Sequence, residues 1–305
     1  MPSASAELAA SSATPAASAV RSEHAVPTVL ATLPVSAYQA RVALDEDAVY
    51  VLTEKVAHRY AAGEKPQELA IDSGLGAALT TRSIVYWSKG ALWKLPKRGG
   101  KARRIGEVKH QPQYLVTSGY DLAWLDRSEA GQFTIQTLEG TKPRVVYASH
   151  GRVDAATMVS DWVFFAERTK DASWHIGRVQ LTGATPTFAV ERNGRTPSML
   201  TSFQDHIYYY DGTVRSVLRL SPDFQREEIL AKNFICSPIA VWERVYCGRV
   251  DGVFEVVPES DAPHRLTNND TQLVASIGAN ANLVAWISEA GEAELTVKVL
   301  ATEPR

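Results

Sequence analysis

The chain has 305 residues, 45% of them hydrophobic, and its 32 Lys and Arg against 34 Asp and Glu leave a formal net charge of -2. That balance gives no overall field to hold DNA, RNA or an anionic membrane surface, so nucleic acid is set aside as a partner. No apolar run of about 18 residues exists, which excludes a transmembrane helix.

The first 27 residues are rich in Ala, Ser and Pro and contain no aromatic side chain. Such a stretch cannot bury enough surface to offset the entropy of ordering, and it reads as a disordered leader or tether over 1–27. It lacks the basic and apolar regions of a secretory signal. Read as the tether of an exported protein whose signal segment is missing from this numbering, it predicts a periplasmic or envelope-associated protein. A cytoplasmic protein with a disordered start is the alternative.

From Thr28 the sequence turns β. An apolar residue leads into an aromatic one in strand-like sequence seven times, at Tyr50, Tyr86, Trp124, Phe164, Tyr208, Tyr246 and Trp286, with separations of 36, 38, 40, 44, 38 and 40 residues. A period near 40 built from short strands predicts an all-β, seven-bladed β-propeller of four-stranded blades, a single domain over 28–305. The second repeat spells out one blade. Ala77 to Thr80, Ser83 to Trp87, Ala91 to Leu95 and Ala102 to Val108 are strands, separated by Thr81-Arg82, Ser88-Lys89-Gly90 and a turn holding Gly99-Gly100. Second strands such as Trp162-Val163-Phe164-Phe165 are apolar on both alternating faces, as strands sandwiched between neighbouring blades must be. Trp87, Trp124, Trp162 and Trp286 therefore read as core.

Further along, Cys236 and Cys247 flank a hairpin expected to turn near Val241, Trp242 and Glu243. They lie nearly opposite one another on adjacent strands, which permits a disulfide; two buried free thiols are the other reading. The seventh repeat supplies three strands, Leu273 to Ser276, Asn282 to Ile287 and Glu294 to Leu300, and then the chain ends. Thr28 to Leu33 is expected to pair with Glu294 to Leu300 as the missing fourth strand, closing the ring and removing the exposed edges.

At Val85-Tyr86-Trp87-Ser88, Leu92-Trp93-Lys94-Leu95 and Gly99-Gly100 the chain resembles the bacterial propeller repeats grouped as YWTD-like and TolB-like, over about residues 28 to 300. Tyr208-Tyr209-Tyr210-Asp211 keeps the aspartate of that element, whereas Lys89 and Arg249 replace it in repeats two and six. The resemblance implies a platform that binds proteins, peptides, sugars or cell-wall components, with enzymes among its members.

Motifs for chemistry are scarce. There is no HExxH, CxxC, GxSxG or Asp-box pattern, and the seven histidines are scattered. Asp45-Glu46-Asp47 and Asn268-Asn269-Asp270 sit where turns need such residues for backbone reasons, so no metal site, cofactor or catalytic set is assigned. In propellers the interblade loops and the loops between second and third strands gather on one face near the axis. Here those loops carry Lys109, His110, His150, Arg152, Arg195 and Lys232, a set of donors suited to a carboxylate, a sugar or an acidic peptide. Trp174 and His175 follow a polar loop in the longest repeat and join them as candidate ligand-binding residues. The expected function is thus a non-enzymatic binding or scaffold module, a monomer recognising a protein, peptide or carbohydrate at the channel mouth. The alternative is a propeller enzyme, a hydrolase or lyase acting on a sugar or peptide in the central funnel.

Overall fold

The structure, a computed structural model, describes residues 26–71, 76–128, 131–169, 173–189, 196–258, 262–267, 272–291 and 293–302. The leader expected over 1–27 therefore lies, except for Val26 and Pro27, outside the described residues. So do Arg195 and the Asn268-Asn269-Asp270 turn.

The chain folds as a seven-bladed β-propeller. Each blade is a four-stranded antiparallel meander, and in six of them the strands follow chain order from the inner to the outer strand. The seventh is completed from the other end: its three C-terminal strands, Val274–Ala279, Leu283–Gly291 and Glu294–Ala301, receive Thr28–Leu33 as the outer strand. Thr28 lies opposite Val299 and Leu33 opposite Leu295, with one bulge between Val29 and Ala31.

The core is seven separate clusters, one in each seam between consecutive blades. Side chains alternate along a strand, so successive residues of each second strand enter opposite seams. All seven period-marking aromatics are buried, yet they do not share a direction. Tyr50 and Tyr86 meet in the seam between blades 1 and 2, and Tyr246 and Trp286 in that between blades 6 and 7. Trp124 enters seam 2–3, Phe164 seam 4–5 and Tyr208 seam 5–6. Seams 3–4 and 7–1 receive none of them. Seam 7–1 is filled by small and aliphatic residues such as Ala40, Val42, Val51, Ala285 and Val297.

Trp124 and Trp286 are wholly enclosed, and their indole N–H groups have no partner among the described residues. An orphaned donor costs about 1–3 kcal/mol, whereas truncating a buried Trp costs about 3–5 kcal/mol, so packing wins at these positions. Among the described residues no backbone ladder crosses a seam; isolated backbone bonds such as Thr81 N–H to the Gly119 carbonyl at 3.1 Å, and side chains, tie neighbouring blades. Thr117 Oγ1 donates to the Leu79 carbonyl at 2.5 Å, Tyr114 Oη to the Asp154 carbonyl at 2.8 Å and Ser202 Oγ to the Met158 carbonyl at 2.9 Å.

Cys236 and Cys247 are bonded, with 5.0 Å between Cα atoms, and both are fully buried in seam 5–6. Cys247 pairs in register with Ile239, so Cys236 reaches it from just before the inner strand Ile239–Trp242. The hairpin turns at Glu243, and Trp242 packs on Phe203 of blade 5, with ring centroids 5.1 Å apart.

Two measurements check this architecture. Deleting residues 1–34 removes the outer strand of blade 7 and bares the edge of Glu294–Ala301. The melting temperature is expected to fall by at least about 10 °C, or the protein to become insoluble; an unchanged melt would mean that this strand does not close the ring. Changing Cys236 and Cys247 together to Ala should lower the unfolding free energy by about 3 kcal/mol, read from the urea midpoint.

Candidate functional site

Blade 4 comprises Arg152–Val159, Trp162–Arg168, Trp174–Gln180 and Thr187–Phe188. Its second strand sends Val163 and Phe165 into seam 3–4, and the same alternation places Glu167 there two residues later. Glu167 is only 1% exposed. His175 faces it across the hairpin as its direct register partner.

Four donors converge on this carboxylate. Tyr147 Oη donates to Oε2 at 2.7 Å, Ser149 Oγ to Oε1 at 2.5 Å and the Gly151 backbone N–H to Oε1 at 2.8 Å, while His175 Nε2 lies 3.1 Å from Oε2. Burial pushes the carboxyl up, but the hydrogen bonds from His175, Ser149, Tyr147 and Gly151 outweigh it and bring the pKa down to about 2. Glu167 is therefore an ionised carboxylate at neutral pH. Burial, and then the Glu167 charge, push the Tyr147 hydroxyl above the usual tyrosine range, so it remains a donor.

The local backbone is shaped for this contact. A Cβ on Gly151 would stand 1.9 Å from the Arg168 carbonyl oxygen, so no side chain fits where the interblade segment crosses the end of the second strand. The imidazole also meets Phe188 edge-on, with centroids 4.5 Å apart, and Phe165 stacks on Tyr147 at 4.8 Å. An ionised carboxylate on Nε2 holds a proton on that nitrogen, which leaves Nδ1 of the neutral ring with the lone pair. The His175 side chain is 15% exposed. Ser149 is buried, its hydroxyl held between Glu167 and the Gly151 carbonyl.

The residues nominated from sequence separate into groups. His150 is exposed between Ser149 and Gly151, and Arg152 follows with an ion pair to Asp154, so both flank the Glu167–His175 pair. Trp174 adjoins His175 in sequence but, pointing the other way, packs half-buried against seam 4–5. Lys109 and His110 line a cleft of about 620 Å³ between blades 2 and 3, together with Arg104, Asp126, Gln136 and Lys142. Burial raises the Asp126 carboxyl, opposed by the Arg127 backbone N–H, by nearby His110 and by the Gln136 amide. Lys232 is exposed behind the outer strand of blade 5, apart from both groups. Glu167, Tyr147, Ser149 and Asp126 were not nominated. The available signal was an acid continuing the Val163, Phe165 alternation on a face that must be buried.

No protein-family model matches the chain, and no curated protein matches it by sequence. Solved structures do. An oligogalacturonate lyase from Vibrio parahaemolyticus has a TM-score of 0.69 at 10% identity, over 88% of this chain and 90% of that one. A catalytically inactive histidine-to-alanine variant of virginiamycin B lyase from Staphylococcus aureus, solved with quinupristin, has a TM-score of 0.63 at 13% identity, over 88% and 98%. A puromycin-hydrolyzing peptidase from Mycobacterium tuberculosis has a TM-score of 0.64 at 11% identity, over 89% of this chain and 54% of that one. At such identities the likeness shows the fold. It does not bear out the expectation of a non-enzymatic binding or scaffold module, because two lyases and a peptidase are among the similar structures.

The ionised Glu167 predicts a pH dependence. Its folded pKa of about 2 lies below the ordinary 4.5, so it contributes stability that is complete above about pH 4.5 and lost as pH falls toward 2. The two values correspond to about 3 kcal/mol. Glu167→Gln should be less stable by about that amount at neutral pH and lose less stability between pH 4.5 and 2, as read from urea midpoints. Equal acid slopes in both proteins would count against an ionised carboxylate.

Proposed function

We infer that this chain is a propeller enzyme, a lyase or hydrolase acting on a sugar or a peptide, with His175 as general base. The observation that carries this reading is the Glu167–His175 pair: a buried, ionised carboxylate fixes one ring nitrogen as a donor and leaves the other able to accept a proton. A base of this kind serves both reaction classes. In a lyase it takes a proton from the carbon beside an acyl or carboxyl group, the freed electron pair becomes a C=C bond, and the group on the next carbon departs. In a hydrolase it takes a proton from the attacking water. The inactive histidine variant of the similar virginiamycin B lyase supports a histidine in this role.

Export fits the same reading. The Cys236–Cys247 bond supports an oxidising compartment, because cytosolic thiols are kept reduced. Residues 1–27 then act as a tether for a monomeric propeller at 28–305 in the periplasm or envelope. Within the propellers, the Tyr86-Trp87 and Tyr208 to Asp211 elements support kinship with the YWTD-like and TolB-like repeats.

The test is turnover of a panel holding an oligogalacturonate, quinupristin and puromycin, read both as new C=C absorbance and as released amine or reducing end. His175→Ala should lose at least about 100-fold in rate while keeping its circular dichroism spectrum. Turnover unchanged in that variant, or none of either chemical kind, would overturn the reading.

A further inference from the structure

Residues 94–110 hold seven of the chain's 32 Lys and Arg and a single acid, Glu107, so the remainder of the chain is net negative. They form the end of the third strand of blade 2 (Ala91–Pro96), the turn after it, the outer strand (Arg103–Glu107) and the start of the next interblade segment. Three of these cations are paired: Lys97 with Asp45 at 2.8 Å, Arg98 with Asp47 at 3.8 Å and Arg104 with Glu107 at 3.5 Å. Lys94, Lys101, Arg103 and Lys109 have no carboxylate partner among the described residues.

Lys94 and Arg103 are direct cross-strand partners. Like charges in that position destabilise a sheet, so the pair is not explained by folding. Beside them Tyr120, at the first turn of blade 3, is 62% exposed, with Lys94 Nζ 5.9 Å and the Arg82 guanidinium 6.0 Å from its ring centroid. A cleft lies on each side of this edge. One of about 620 Å³ holds Lys109 and Lys142 beside Glu107 and Asp126, and one of about 400 Å³ holds Arg82, Lys97 and Arg98 beside Asp45 and Asp47.

We propose that this edge of blade 2 binds a short acidic oligosaccharide, a chain of carboxylated sugars laid across Tyr120 and along the outer strand. Unpaired guanidinium and ammonium groups select carboxylates through charge-assisted hydrogen bonds. An exposed aromatic face flanked by cations offers a sugar ring an apolar floor with its carboxylate held at the rim. A nucleic acid duplex would carry its phosphates past this edge onto the net-negative remainder of the surface, since the patch is screened beyond about 8 Å. An acidic peptide would satisfy the cations and leave the tyrosine face unused. Binding here does not depend on catalysis at His175.

The test is calorimetric titration of the full chain with a galacturonic acid tetramer as probe. Binding is expected, weakening as salt is raised, with none for a neutral glucose tetramer. Lys94→Ala/Arg103→Ala should bind at least about tenfold more weakly and melt no lower than the parent, because it removes a like-charge contact. Lys232→Ala, away from the edge, should bind like the parent. Absence of uronide binding, equal binding by the double variant, or equal or tighter binding of hexaglutamate or an oligothymidylate would each overturn the proposal.

Discussion

A blade of four strands has two apolar faces, and it can bury neither by itself. Each second strand in this chain is apolar on both sides because each of its faces belongs to a different seam. A row of such blades would end in two uncovered faces, each a template for aggregation. Closing the ring removes both at once. The cohesion of the other six seams therefore depends on the join between blades 7 and 1, whose covalent ends are brought together by Thr28–Leu33 pairing with Glu294–Ala301. That join is built from small and aliphatic residues, and Leu30, Ala31 and Leu33 of the N-terminal strand pack against it.

Seam 3–4 solves a different problem. It receives none of the seven period-marking aromatics, because Phe164 points forward into seam 4–5. The next residues in the alternation, Phe165 and Glu167, fill the space, and with them comes a charge in a place where water is excluded. An unpaired buried carboxylate would cost several kcal/mol. Four donors satisfy it, and the cost becomes a rigid geometry instead. What remains adjustable is the imidazole, whose second nitrogen takes no part in holding the carboxylate. The polar group that ties the seam is in this way the group that orients a base.

The architecture was legible in the sequence because it rests on periodicities. The aromatic spacing marks the second strands, the Gly-bearing turns mark the hairpins, and the shortage of a fourth strand in the seventh repeat points to Thr28–Leu33. The direction of each aromatic was not legible, since Tyr86 and Phe164 occupy the same place in their repeats yet enter seams on opposite sides of their blades. The candidate site was half legible. His150, Arg152 and His175 could be nominated from loop positions, but Glu167 reads as an ordinary strand-end acid until Tyr147, Ser149 and Gly151, contributed across the seam from blade 3, stand beside it. Partners separated by 16 to 20 residues on different blades leave no local motif.

Charge shows the same contrast between average and local reading. A net charge of -2 excludes partners that sample the whole surface, such as a long duplex, and says nothing about a ligand the size of one blade edge. Over a screening length of about 8 Å, the paired Lys94 and Arg103 form a basic surface, however acidic the other blades are. The cation density of residues 94–110 is visible in sequence, but whether it means solubility or recognition is not. Outer strands are exposed edges, and basic residues protect them from pairing with other chains. Protection accounts for the charge on this edge; it does not account for two cations set directly opposite each other beside an uncovered tyrosine ring. That placement costs stability in the unliganded protein and returns it only when an anion lies between the two groups.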